Sequence, residues 1–190
     1  MDDLEQLTKK TRDFLNNEKL FEHSLAVAKT AQNLAERFGE NPYKAYTAGI
    51  LHDIGGIYPN DKRIQIAEEA GINLLPEERE FPLIIHQKLS KFLARWKFGI
   101  FNDEILNAIE CHTTLRANFT KLDIVLFLAD KISWDGGDAA PFKKGLLEKL
   151  EISMEAAALF YIDFILDDGV KVIHPWLLAA RAELIEKSII

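Results

Sequence analysis

The sequence predicts an all-α fold, a single-domain helical bundle. Three observations predict it. Apolar residues recur at three- and four-residue steps through almost the whole chain, and no segment alternates as a strand would. Asparagine, glycine and proline fall where helices begin and end. Apolar residues make up 48% of the 190-residue chain, with no Pro/Gly/Ser-rich linker, which suits one core and would cramp two.

Leu4, Leu7, Thr11, Phe14 and Leu15 mark the first amphipathic helix, with Asp2 and Asp3 suited to its positive N-terminal end. A second helix is expected from Leu20 to Phe38, where His23, Val27, Ala31, Leu34 and Phe38 share a face and Gly39 stops it. Asn41-Pro42 combines an N-cap with proline at the first helical position and opens a helix running to Asp53. On it Ala45, Ala48, Gly49 and His52 form an i, i+3, i+4, i+7 stripe whose small residues let a neighbouring helix come close. Gly55 to Asn60 is expected as a loop, and Asp61 to Ala70 as a short charged helix ended by Gly71. Pro76 to Phe98 contains a long helical stretch with His86, Leu89, Leu93 and Trp96 on its inner face. Asn102 caps a helix in which Ile105, Ala108, Ile109 and His112 repeat the stripe. Thr120 caps the next, with Leu122, Val125, Leu126, Ala129 and Asp130 inward. Asp135-Gly136-Gly137-Asp138 is a turn or loop, and three more helical segments follow Pro141, broken near Gly169 and at His174-Pro175. The expected domain spans residues 1–190, a core over about 20–135 with the helices of 141–190 packed on it.

Composition narrows the function. No apolar run approaches the roughly 18 residues of a membrane span, and the acidic N-terminus does not read as a signal peptide. A single cysteine, Cys111, excludes an internal disulfide framework and suits a reducing cytoplasm. The formal charge of −7 argues against binding a nucleic acid polymer, though a small phosphorylated substrate is compatible because bound cations dominate a local field.

The titratable residues carry the chemistry. His23, His52, His86 and His112 each fall on the apolar stripe of a different helix, and Asp130 falls on a fifth. Their spacings of 29, 34, 26 and 18 residues are those of successive helix-plus-loop units, so a bundle can bring all five to one interior point. His52 and Asp53 are adjacent. Neighbours on a helix point about 100° apart, so both reach one centre only where the helix terminates. Singly, each histidine reads as a satisfied core residue. Together with Asp53 and Asp130 they are too many buried polar groups to lack a common partner, because each would cost several kcal/mol. Nitrogen-rich sites favour iron, manganese, cobalt, nickel or zinc over magnesium or calcium. Six ligands exceed what one tetrahedral zinc needs and suffice for two ions. Two ions about 3.5–4 Å apart hold a hydroxide and clamp a phosphoryl group for in-line attack.

The order His23 … His52-Asp53 … His86 … His112 … Asp130 resembles the HD-domain metal-dependent phosphohydrolases, in the variant with two extra histidines. Glu22-His23-Ser24-Leu25-Ala26-Val27-Ala28, the Ala48-Gly49-Ile50-Leu51-His52-Asp53 core, Asp103-Glu104-Ile105-Leu106-Asn107-Ala108-Ile109 leading to His112-Thr113-Thr114, and Leu128-Ala129-Asp130-Lys131-Ile132 are similar to the YqeK branch, over roughly residues 10–185. The resemblance implies symmetrical cleavage of diadenosine tetraphosphate into two ADP by a bound iron pair, with manganese, cobalt or zinc as alternatives. It implies metal ligands at His23, His52, Asp53, His86, His112 and Asp130. Asp53 would be the catalytic carboxylate, bridging the ions and orienting the attacking hydroxide. Arg116 and Lys62 would pair with phosphate oxygens, Arg116 through its planar fork. Thr113 would donate to the same phosphate or orient His112.

The chain departs from that pattern at three places. Gly56 stands where a lysine is usual, Leu115 where a glycine is usual, and Ser133-Trp134-Asp135-Gly136-Gly137 where a Glu-Pro and an arginine are usual. The missing cations would have faced phosphate, with Lys62, Arg63 and Lys131 available to compensate. A homologue acting on another nucleotide or phosphate ester, or one that binds without turnover, is the alternative. His174 reads as a structural cap or a surface residue, Cys111 as a small buried side chain, and Tyr58, Phe119 and Trp134 as packing aromatics. The partner expected is a small nucleotide, with no membrane, and a homodimer is compatible.

Overall fold

The computed structural model describes residues 2–134 and 140–188, so the turn expected at Asp135–Asp138 lies outside the described residues. Helix α1 (Asp2–Leu15) leads through Asn16-Asn17 into α2 (Glu18–Phe38), whose first turn is capped by the Asn17 side chain accepting from the Leu20 N–H. Gly39, at φ 70°, ends α2 in the left-handed region and returns its N–H to the Ala35 carbonyl. Helix α3 (Pro42–Leu51) opens at the Asn41 cap and stops short of the expected Asp53. His52 is its C-cap, and Asp53 has already left helical geometry at φ −113°, ψ 11°.

A 3₁₀ turn, Ile54–Ile57, stands where a plain loop was expected, and a second, Asn60–Lys62, takes the start of the expected Asp61–Ala70 helix, so that α4 (Arg63–Glu69) begins two residues late. The long helical stretch over Pro76–Phe98 is broken into α5 (Pro76–Glu80), a 3₁₀ turn at Pro82–Ile85, and α6 (His86–Trp96). Pro82 is the cause: its ring excludes the preceding residue from α geometry, and Phe81 sits at φ −129°, ψ 79°. The break makes His86 the first residue of α6. Trp96, expected on the inner face, is 68% exposed, although Leu93 and Ala94 in the same turn are buried.

Asn102 caps α7 (Asp103–Cys111) through the Ile105 N–H, and His112 is the C-cap. Thr120 and Asp123 form a reciprocal capping box at the start of α8 (Lys121–Ile132). The chain continues with α9 (Lys143–Leu150), α10 (Met154–Asp168) and α11 (Pro175–Ser188). His174 precedes α11, and its Nδ1 accepts from the Trp176 N–H, a capping role. No strand occurs among the described residues, and none of their helices is long and apolar enough to cross a membrane.

Helix α8 is apolar on all sides, with Leu122, Val125, Leu126, Phe127 and Leu128 all buried, which is the signature of a central helix. Helices α2, α3 and α7 pack around it, α6 packs on α7, and α10 covers α8 while holding α9 and α11. Two glycines let the elements bearing site residues approach. A Cβ at Gly49 would lie 2.6 Å from the Ala28 Cα, so α2 and α3 touch backbone to backbone. A Cβ at Gly55 would lie 2.5 Å from the His86 carbonyl oxygen, and the Gly55 N–H donates to Ser90 Oγ at 2.8 Å.

Gly49→Ala separates two opposing effects. Alanine raises helix propensity by about 1 kcal/mol, whereas forcing α2 and α3 apart costs about 1–3 kcal/mol or more. The expected result is a lower urea midpoint than wild type. A raised midpoint would show that the two helices do not meet through this glycine.

Candidate metal centre

Three histidines reach the site by the same local device. His52 and His112 sit at the C-caps of α3 and α7, and His86 ends the 3₁₀ turn before α6. In each, Nδ1 lies within hydrogen-bond distance of the carbonyl three residues back: Gly49 at 2.7 Å, Leu83 at 2.6 Å and Ile109 at 2.8 Å. A carbonyl only accepts, so Nδ1 carries the proton and Nε2 presents a lone pair to the interior. Such a backbone tether fixes the tautomer and ring orientation that a metal ligand requires. His23, from α2, lacks the tether, and its Nδ1 is buried with no hydrogen-bond partner among the described residues.

The four imidazoles meet two carboxylates. His23 Nε2 lies 3.2 Å from Asp130 Oδ1, and His52 Nε2 lies 3.7 Å from the same oxygen. His86 Nε2 lies 3.2 Å and His112 Nε2 3.9 Å from Asp53 Oδ1. Ligand atoms of His23, His52 and Asp130 fall within 4.8 Å of one another, as do those of His52, Asp53 and His112. The arrangement is therefore two adjoining groups that share His52. All six residues expected as ligands converge.

Two features of this cluster fit divalent cations. His52 is fully buried and its Nε2 has no hydrogen-bond partner among the described residues. His86 Nε2 and His112 Nε2 stand 3.0 Å apart, although the backbone tethers make both of them acceptors. Two lone pairs facing at that distance repel unless a cation lies between them, and nitrogen ligands about 2.1 Å from one ion are separated by about 3 Å when they bind at right angles. The donor set of imidazoles with two carboxylates suits transition metals better than magnesium or calcium.

Electrostatics point the same way. Burial would push the Asp53 carboxyl up, but the imidazoles of His52, His86 and His112 together hold it at about 2. Burial opposes ionisation of Asp130 too, and is overcome by Lys131, His23 and His52, which hold it well below the usual carboxylate range. Burial drives His112 well below its ordinary value, with His52 and His86 acting in the same direction. Burial also lowers His86, against the pull of Asp53. His52 is raised despite burial, because Asp130 and Asp53 outweigh it. Both carboxylates are thus held ionised, beside two imidazoles, His86 and His112, that burial disfavours as cations, a donor set that recruits metal ions.

Two cations support the ligands from behind. Lys131 Nζ lies 2.5 Å from Asp130 Oδ2 and donates to the His112 carbonyl at 3.0 Å. Arg63 donates to the Tyr58 carbonyl at 3.0 Å and to the Leu83 carbonyl at 2.8 Å, and the Leu83 oxygen is also the one that tethers His86. Both had been expected as substitute phosphate contacts, and the structure commits both to internal partners instead. Arg116 is likewise directed away: its Nε and Nη2 bond the buried Asp123 at 3.1 and 2.8 Å, closing the capping box of α8, and it does not line the cleft. Lys62 lies on the exposed 3₁₀ turn and does not line the cleft either.

The cluster forms the floor of a cleft of about 500 Å³, with Asn17, Lys19, Leu20, Gly56, Thr113 and Trp134 around it. Thr113 lines the cleft with its Oγ1 3.2 Å from His86 Nε2, so the histidine it meets is His86 and not the expected His112. Lys19 was missed by the sequence reading, which began α2 at Leu20 and so left it outside the helix. It sits in the first turn of α2, exposed, with no ion-pair partner among the described residues. Gly56 has room for a side chain, since a Cβ there would meet nothing nearer than Leu20 at 3.5 Å.

Known proteins resemble this chain in both sequence and fold. It is 65% identical to an uncharacterized Lactococcus lactis protein over 74% of this chain and 72% of that one. It is 38% identical to the symmetrical bis(5'-nucleosyl)-tetraphosphatase of Staphylococcus aureus, over 60% of this chain and 59% of the relative. The protein of the same name from Bacillus subtilis is 35% identical over 58% of this chain and 59% of its own length. The alignment thus spans about three fifths of each of these two hydrolases. A Clostridium acetobutylicum protein, described as a predicted HD superfamily hydrolase involved in NAD metabolism, superposes with a TM-score of 0.84 at 30% identity, over 96% of this chain and 97% of that one. The family model of the HD domain matches residues 20–135, the segment that carries all six clustered histidines and aspartates, and the chain belongs to the HD domain family.

Proposed function

We propose that this protein is a metal-dependent hydrolase of phosphoanhydride bonds that cuts diadenosine tetraphosphate symmetrically into two ADP. The observation that carries the reading is the pair of adjoining ligand groups sharing His52 on the floor of an open cleft. The tetraphosphatases of Staphylococcus aureus and Bacillus subtilis support the choice of substrate. His23, His52 and Asp130 would hold one ion and Asp53, His86 and His112 the other, with iron the expected metal. A bound pair of divalent ions supplies a Lewis acid that polarises phosphoryl oxygens and makes water acidic enough to attack near neutral pH.

The chain's own residues do the rest. Lys131 and the tethers to Gly49, Leu83 and Ile109 hold the ligands in place before substrate arrives, so little reorganisation remains for the reaction. Asp53, on the cleft side of the cluster, orients the attacking water toward a central phosphorus. The Thr113 hydroxyl donates to a phosphate oxygen. Lys19 neutralises the polyphosphate at the mouth. One water is consumed: its oxygen stays on one central phosphorus, the bridging oxygen leaves with the other half, and protons pass to solvent. The products are two identical nucleoside diphosphates.

Protein loaded with iron or manganese is expected to yield ADP alone from diadenosine tetraphosphate, read by chromatography. AMP with ATP would overturn symmetrical cleavage, and no turnover by metal-loaded protein would move the chain to another substrate or to binding alone. His52→Ala is expected to lower bound metal and turnover together by about 100-fold or more, since it removes one of the three ligands of the first ion and the ring that stands between the two groups. Retained turnover would refute the assigned site.

Lys19→Ala is expected to raise KM for the tetraphosphate roughly five- to tenfold, about 1 kcal/mol, with kcat within about twofold. Gly56→Lys in that background is expected to recover most of the loss, because the position opens onto the same cleft. An unchanged KM in Lys19→Ala, measured at low ionic strength, would remove Lys19 from the substrate site.

A further inference from the structure

A second cavity of about 390 Å³ adjoins the metal centre, bounded by the Thr113-Thr114 turn, α10 and the segment from Gly169 to His174. Thr113 lines both spaces, and Lys131, whose ammonium holds Asp130, lines the second one from behind the cluster. The remaining wall is mainly apolar, with Ile165 and Val172 beside two aromatic rings, Phe81 and Tyr161. At the rim, Lys171 Nζ stands 5.6 Å from the centre of the Phe81 ring. Its size falls within the roughly 300–1,000 Å³ of small-ligand sites, and its composition, apolar with a few polar groups, is theirs as well.

One polar group there is unused. The Tyr161 ring is fixed edge-on against Phe142, with centroids 4.9 Å apart, and against Phe127 at 5.7 Å. Its hydroxyl has no hydrogen-bond partner among the described residues. Burial raises its pKa above the ordinary phenol value, so it stays a hydroxyl that can donate as well as accept. A rigid aromatic wall with a free hydroxyl, joined to a phosphate-cleaving centre by one shared threonine, is a place for a flat heterocycle carrying hydrogen-bonding edges.

We infer that this cavity takes the nucleoside of one arm of the substrate, its base against Phe81 and Tyr161. The inference rests on the proposed cleavage of a dinucleoside polyphosphate and deepens it. A cut at the middle of a symmetrical molecule sets the scissile bond over the metals and leaves two like arms, each of which needs a place. The metal cleft, with Lys19 and Trp134, serves one. The cavity beyond Thr113 serves the other, and after the cut it retains one ADP.

Filling the cavity tests the assignment. Ile165→Trp and Val172→Trp, made separately in the full-length, manganese-loaded protein, are expected to weaken ADP binding about tenfold in calorimetry, the loss of a stacked base. Pyrophosphate, which has no base, is expected to bind both variants within about twofold of wild type. Tyr161→Phe, which keeps the ring, is expected to weaken ADP by about threefold to tenfold and leave pyrophosphate unchanged. Wild-type ADP affinity in both filled variants overturns the subsite, as does an equal loss of ADP and pyrophosphate, which would place the damage at the metals. If wild type cleaves the tetraphosphate while the filled variants bind ADP normally, the subsite alone fails. If wild type neither cleaves the tetraphosphate nor binds ADP, the functional reading fails and takes the subsite with it.

Discussion

Asp53 and Asp130 are carboxylates set among four imidazoles, at side-chain exposures of 22% and 17%. Isolated buried carboxylates would be neutralised by uptake of protons. Here they stay ionised because positive partners are fixed around them. Lys131 is bound to one, and the histidine rings stand close to both. That accumulation of lone pairs and negative charge is the constraint the bundle is built to hold. It is tolerable in a folded chain because the backbone holds three of the four rings, those of His52, His86 and His112, so the strain of like groups facing one another cannot relax by their rotation.

Backbone architecture supplies the hold. Inside a helix, the carbonyl three residues back is engaged in the helical ladder. At a C-cap it is free to accept an imidazole N–H. His52 and His112 stand where α3 and α7 end, and both use a carbonyl of the last turn. His86 reaches the equivalent position through the 3₁₀ turn that Pro82 begins. Termination of helices is therefore what points the rings inward. The close approaches at Gly49 and Gly55 then bring these ends within reach of α2 and α6. Packing and chemistry are the same feature seen at two scales.

Much of this was legible in the sequence because it depends on local rules. Caps at Asn41, Asn102 and Thr120 and the stop at Gly39 follow from side-chain and glycine preferences that hold in any context. The adjacency of His52 and Asp53 implied a helix end, and the helix ends at Leu51. What was not legible depends on partners distant in the chain. Arg116 reads as a free cation until Asp123 is folded against it, and Arg63 until the Leu83 carbonyl arrives. Trp96 shares the periodicity of Leu89 and Leu93, yet only tertiary structure says where the core stops. Pro82 was the exception: its effect on Phe81 is local, and the long helical stretch should have been divided there.

The departures from the family pattern take on different meanings once each position has an environment. Leu115 occupies the left-handed region at φ 55°, which costs a residue with a β-carbon about 1–2 kcal/mol and explains why glycine is usual there. It is also fully buried, and burying a leucine gains about 1.5–3 kcal/mol. Packing offsets strain, so the turn after His112 keeps its geometry with a different residue, and the Leu115 N–H still reaches the Cys111 carbonyl at 2.7 Å. That substitution is conservative in structure. Gly56 is the opposite case. Nothing steric requires a glycine, and its side-chain space opens onto the metal cleft, so the change removes a charge without altering the backbone. Lys19, in the first turn of α2 and next to the Leu20 that faces Gly56, is a cation lining the same cleft. The two changes therefore act on different quantities: position 115 on the stability of a turn, position 56 on the charge that lines the cleft. All six histidines and aspartates of the cluster are in place, so the departures change the charge around the cluster and leave its donor atoms as they are.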